Sequence, residues 1–231
     1  YTKAKEFFNE FGFYNIKVFC FKDSVEHDEQ VDQILADCDP KIKTNFHACP
    51  RVFYSQLGFN DNIQSQADNL INSFKDKKPI IGIHPFGSDF SKNIYSKFNL
   101  PIKFIPADIV SEIVANKNYN YLLFGSASDL ESYGLEEADN LKFVSFYNIL
   151  ISLACVNSCK KFIGTDSCFK TMSSMNSIPT YCIVGNFDDQ TRDVCFIDQY
   201  VTDGVMKIFK FDNIESQKKE ITDFFISSIN E

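Results

Sequence analysis

Lys160-Lys161-Phe162-Ile163-Gly164-Thr165-Asp166-Ser167-Cys168-Phe169-Lys170 passes from a strand, through a short polar turn, into a helix. Phe162 and Ile163 suit a buried strand over 160–164, and Gly164 ends it. Asp166 or Ser167 can cap a helix over 167–176. Behind Pro179 a further apolar strand is predicted at 180–184. Strand, helix and strand in this order form a βαβ unit, which requires parallel strands and a right-handed crossover.

The same alternation extends outward. Upstream, Ile80-Ile81-Gly82-Ile83-His84 reads as a strand, and Pro106 opens a helix with Ile109, Val110, Ile113 and Val114 on one stripe. Tyr121-Leu122-Leu123-Phe124 forms a strand ending at Gly125, a helix spans 129–138, and a short strand covers 141–144. The segment 147–157 is apolar almost all round, as in a deeply buried helix. Downstream, Ile214, Ile221, Phe224, Phe225 and Ile229 lie on one side of a helix over about 213–229. This pattern predicts an α/β fold, a Rossmann-like parallel sheet with helices on both faces.

Residues 1–78 read differently. Helices are expected at 2–12, 25–37 and 50–57, with short strands at 15–21 and 42–47, too few for a full doubly wound domain. A polar helix at 63–75 runs into Lys75-Asp76-Lys77-Lys78-Pro79, a charged run before Pro that marks a boundary or an ordinary loop. The expected division is a partial N-terminal α/β domain with a linker helix over 1–78 and a complete C-terminal domain over 79–231. The first residue is Tyr1 rather than Met, which suggests a chain that begins mid-protein.

Composition excludes several functions. With 23 Lys and Arg against 31 Asp and Glu the net charge is −8, and no basic cluster suits nucleic acid or a polybasic membrane anchor. No run approaches a membrane span, and the N-terminus has no signal-like apolar core. The eight Cys form no CxxC pair and several sit inside apolar runs, while the three His lie far apart. That spacing argues against a metal site and for buried, reduced thiols in a cytoplasmic setting.

Ligands in an open parallel sheet sit beyond the strands' carboxyl ends, so three loops become candidates. In Gly164-Thr165-Asp166-Ser167-Cys168 the free amides and positive end of a helix favour phosphate, with hydroxyls from Thr165 and Ser167 and a cation from Lys170. The plainer alternative is an N-cap. His84-Pro85-Phe86-Gly87-Ser88 leads to Lys92, which can pair with phosphate, although no Walker A string is present. A lone strand-end histidine such as His84 is more often a hydrogen-bonded structural group than a base. In Gly125-Ser126-Ala127-Ser128-Asp129 small residues allow close approach and Asp129 can accept ribose hydroxyls; a cap is the alternative again. Neither a nucleophilic triad nor a GxSxG elbow occurs.

Taken in order, these blocks resemble the C-terminal half of glycosyltransferase family 9, the GT-B family that includes the ADP-heptose lipopolysaccharide heptosyltransferases. Ile83 to Ser88 and Lys92 stand in the family's His-Pro-Gly-like loop and its following Lys, with Asn93-Ile94-Tyr95 replacing a Trp-Pro pair. Leu122 to Asp129 matches the strand, Gly-rich turn and acidic residue. Gly164 to Cys168, Met172 to Met175, and Ile178-Pro179-Thr180 to Gly185 match the Asp-Ser/Thr-Gly turn, its helix and the Pro-led strand. The likeness covers roughly 80–186. Cys168 replaces the family's Gly, and Thr171 its His, with Lys170 as a substitute cation. The family's Gly-Asp loop, which carries its presumed catalytic Asp, has no counterpart in 1–78.

The resemblance implies a glycosyltransferase moving a sugar from a nucleotide-diphosphate sugar to a glycan or lipid-linked acceptor hydroxyl. Inversion, no metal and no cofactor beyond the donor are expected, in a cytoplasmic protein that can lie against a membrane. Donor phosphates are expected at His84, Ser88, Lys92, Gly164, Thr165, Asp166, Ser167, Cys168 and Lys170, and the nucleoside at Gly125, Ser126 and Asp129. The catalytic base stays unassigned. Two alternatives stand beside this: an inert GT-B-like binding domain, and another nucleotide-dependent enzyme such as a sugar-nucleotide epimerase.

Overall fold

The computed structural model describes residues 58–87, 104–145, 149–185 and 200–231. The elements expected in 1–57 lie outside them, as do Ser88 and Lys92. Within the described residues six strands form one sheet: β1 (Ile80–His84), β2 (Asn120–Gly125), β3 (Leu141–Ser145), β4 (Lys161–Thr165), β5 (Thr180–Gly185) and β6 (Met206–Phe211). Their order is β3-β2-β1-β4-β5-β6, and every neighbouring pair is parallel. The helices are α1 (Asp61–Asn72), α2 (Ala107–Val114), α3 (Ala127–Ser132), α4 (Ile149–Asn157), α5 (Cys168–Met175) and α6 (Lys218–Asn230). This is the Rossmann-like α/β architecture expected from the sequence.

Strand alternation sorts the core into two layers. Ile81, Ile83, Leu123, Ile163 and Ile183 face Ile109 and Ile113 of α2 and Ile221 and Phe225 of α6. Leu122, Phe124 and Phe162 face the opposite way, toward Ile63 and Ala67 of α1, Leu153 and Val156 of α4, and Phe169 of α5. Central strands buried on both faces explain the continuous apolar runs of β1, β2 and β4. The near-uniformly apolar α4 is wedged between α1 and α5 and so buries most of its circumference. Through Ile63, Ala67 and Phe74, α1 and the turn after it belong to this second layer.

Two expectations shift. The helix predicted at 129–138 is α3, which starts earlier because Ser126 and Asp129 form a capping box, and ends before Gly134, where φ is 81°. The sixth strand lies in a stretch to which the sequence patterns assign no element. Met206-Lys207-Ile208-Phe209-Lys210-Phe211 mixes charge and apolar groups on both faces, as an edge strand tolerates, so no clean alternation marks it.

Candidate functional site

In the order β3-β2-β1-β4-β5-β6 the direction of winding reverses between β1 and β4, and in doubly wound sheets the ligand crevice lies at such a point, beyond the carboxyl ends of the strands. His84, the last residue of β1, pairs in register with Gly164 of β4. A side chain at Gly164 would stand 3.1 Å from the His84 carbonyl oxygen, so glycine admits this close approach. The two candidate loops, 83 residues apart, are joined directly: His84 Nδ1 lies 2.9 Å from Ser167 Oγ.

Ser167 is the N-cap of α5, its hydroxyl accepting the Lys170 amide at 3.4 Å. It can therefore give its own proton to Nδ1, placing the imidazole proton on Nε2. The ring packs against Phe169 with centroids 4.9 Å apart and edge-on to Phe86 at 6.2 Å. Burial among these groups pushes the His84 pKa down to about 3, so the imidazole is neutral at physiological pH. A ring so reluctant to take a proton suits a strut between β1 and α5 better than a general base.

The turn after β4 divides between interior and surface. Thr165 is fully buried and its hydroxyl has no hydrogen-bond partner among the described residues. Asp166 and Ser167 are half-buried, and Cys168, the first residue of α5, is exposed. Lys170 turns inward: its side chain is 5% exposed, and its ammonium donates to Asp166 Oδ1 at 2.6 Å. The cation expected to face phosphate is thus engaged by the carboxylate one turn earlier. Beside it Thr171 donates its hydroxyl to the Ser167 carbonyl at 3.4 Å.

The third loop lies one strand away, at the end of β2. Ser126 caps α3 by accepting the Asp129 amide at 3.1 Å, while Asp129 Oδ2 accepts the Ser126 amide at 3.3 Å and its hydroxyl. Gly125 makes room for a neighbour: a Cβ there would meet the Phe86 ring at 2.8 Å. The structure thus brings His84, Gly164, Thr165, Asp166, Ser167, Cys168 and Lys170 to one crevice, and sets Gly125, Ser126 and Asp129 beside it across Phe86. The aromatic wall of Phe86 and Phe169 was not anticipated; Phe86 stands two residues after His84, but Phe169 meets the ring only through the pairing of β1 with β4. The Asp166–Lys170 pair was also missed, although an acid four residues before a Lys is a readable spacing.

A cavity of about 350 Å³ opens elsewhere, at the amino ends of β1, β2 and β3, lined by Lys75, Asp76, Lys78, Lys117, Asn120 and Asn140 among others. Its charges are largely matched: Lys75 pairs with Asp139 at 2.9 Å, Lys78 with Asp76 at 3.0 Å, and Lys117 donates to Asn140 at 2.8 Å. It lies at the wrong end of the sheet for a ligand of the doubly wound type. Among the described residues no group of three or more His, Cys, Asp or Glu could hold a metal ion.

Two solved structures are similar to this chain in fold. Over 75% of this chain and 53% of the other, the fold matches the E. coli ADP-heptose LPS heptosyltransferase II, with a TM-score of 0.50 and 16% identity. A glycosyl transferase of family 9 from Veillonella parvula matches over 73% and 46%, with a TM-score of 0.50 and 17% identity. The fold is heptosyltransferase-like. No protein-family model matches the sequence, nor does any curated protein. The chain spans about half the length of each of these structures. Of the sequence blocks quoted above, Ile83 to Phe86 and Gly164 to Cys168 lie at the carboxyl ends of β1 and β4, where the strand order reverses.

Proposed function

We propose that this chain is the donor-side half of a glycosyltransferase, moving a sugar from a nucleotide-diphosphate sugar to a hydroxyl of a glycan or lipid-linked acceptor. The observation that carries the reading is the convergence of Asp166, Ser167 and the start of α5 with His84 in the β1–β4 crevice. The positive end of α5 points where a diphosphate leaving group gains charge, and preorganised dipoles stabilise that charge without reorganising. Ser88 and Lys92 extend the phosphate side, and Gly125, Ser126 and Asp129 the nucleoside side. In this reading a base from the acceptor side takes the hydroxyl proton as the nucleophile attacks the anomeric carbon from the face opposite the diphosphate, which inverts that centre. Transfer is metal-independent, so EDTA leaves its rate unchanged. The protein works in the cytoplasm, against a membrane when the acceptor is lipid-linked; no described helix is long and apolar enough to cross one.

Calorimetric titration with ADP, UDP and GDP tests the reading. Saturable binding of at least one is expected, and binding of none overturns it. One observation favours a second reading, an inert binding domain: Cys168 occupies the helix-start position held by Gly in the family motif, and its side chain narrows the approach to the amides. Turnover of a nucleotide sugar, lost in Asp166→Asn, excludes that alternative.

A further inference from the structure

The geometry points to Lys170 as a positioning residue for Asp166 rather than a ligand of the bound anion. This rests on the donor-site reading above but reassigns one of its cations. Three observations carry it. First, the Lys170 side chain is 5% exposed whereas that of Asp166 is 34% exposed, so the carboxylate, not the ammonium, is the member of the pair open to an arriving group. Second, the contact is a 2.6 Å charge-assisted hydrogen bond, strong because one partner is withdrawn from water. Third, both ends of the Lys170 residue are tied to the same turn: its amide goes to Ser167 Oγ and its ammonium to Asp166 Oδ1. Ser167 is in turn held to His84 across the crevice.

A phosphate reaching Lys170 would have to displace a carboxylate from a buried ammonium. Asp166 is held through Oδ1 and is the more accessible member of the pair. Lys170 fixes where that carboxylate lies.

A double-mutant cycle on the whole chain reads this directly. Affinities for ADP, UDP and GDP are measured for wild type, Lys170→Met, Asp166→Asn and the double variant, with urea unfolding run in parallel. If Lys170 acts only through Asp166, each single variant weakens the bound nucleotide by about tenfold, roughly one charge-assisted contact, and the double variant is no weaker than Asp166→Asn. A further loss on adding Lys170→Met to Asp166→Asn overturns the inference, since the ammonium then touches the ligand itself. Unchanged affinities with altered unfolding midpoints overturn it as well, leaving a pair that only supports the fold.

Should wild type bind none of the three nucleotides, the donor-site reading falls, and acetylation of lysines by an activated acetate ester decides the inference separately. Lys170 protected in wild type and reactive in Asp166→Asn supports the clamp. Labelling of Lys170 in wild type as fast as Lys75 or Lys117 overturns it.

Discussion

At the scale of single residues the crevice is defined by which member of each polar pair faces water. Asp166→Asn leaves the buried Lys170 ammonium without its carboxylate, whereas Lys170→Met leaves a carboxylate that water can still reach. An uncompensated buried charge costs about 3–5 kcal/mol and a rehydrated one far less. Asp166→Asn is therefore expected to lower stability more than Lys170→Met in urea unfolding, and the opposite ranking would contradict the burial described here. His84 carries a second residue-scale expectation. Its folded-state pKa of about 3 lies below the ordinary 6.5, so the unfolded chain takes up the proton first on acidification. The stabilisation is whole above pH 6.5 and is lost as pH falls toward 3, with an upper bound on the order of 5 kcal/mol. In His84→Asn the decline in unfolding free energy across that window should flatten; an unaltered slope would show that His84 is not the titrating group.

Local chemistry also decides how much of each element was legible. Strands buried on both faces announce themselves, and Ile80–His84 is bounded where its apolar run is bounded. The cap of α5 was readable, since Ser167 was one of two residues expected there, whereas α3 is capped by Ser126, ahead of the expected helix start. Whether such a cap also meets a ligand is not a local property, which is why those loops carried two readings. The strut from His84 to Ser167 joins positions 83 residues apart, and only the sheet order makes them neighbours. A similar local test comes from the end of α5, a Schellman turn in which the Ile178 amide reaches the Ser173 carbonyl and the Ser177 amide that of Ser174. Ser177 sits there at φ 58°, a conformation glycine adopts more easily. Ser177→Gly should raise stability by about 1 kcal/mol and leave nucleotide affinity alone, as differential scanning calorimetry and titration would record. In β1 the direction reverses: a Cβ at Gly82 would lie 2.6 Å from the Phe162 ring, so Gly82→Ala should cost about 1–3 kcal/mol.

For the molecule as a whole, function follows from the place where six parallel strands reverse their order. The sheet offers two candidate sites at opposite ends, the switch point between β1 and β4 at the carboxyl end and a cavity among paired lysines at the amino end. Parallel topology, helix polarity and the grouping of Asp166, Ser167 and His84 favour the first. Hydrogen exchange with and without the best-bound nucleoside diphosphate separates the two most directly. The account predicts that slowed exchange on binding is concentrated in 164–171 and in the segment that follows His84. Slowing confined to 75–78, 117–120 and 138–140, with 164–171 unchanged, would contradict it.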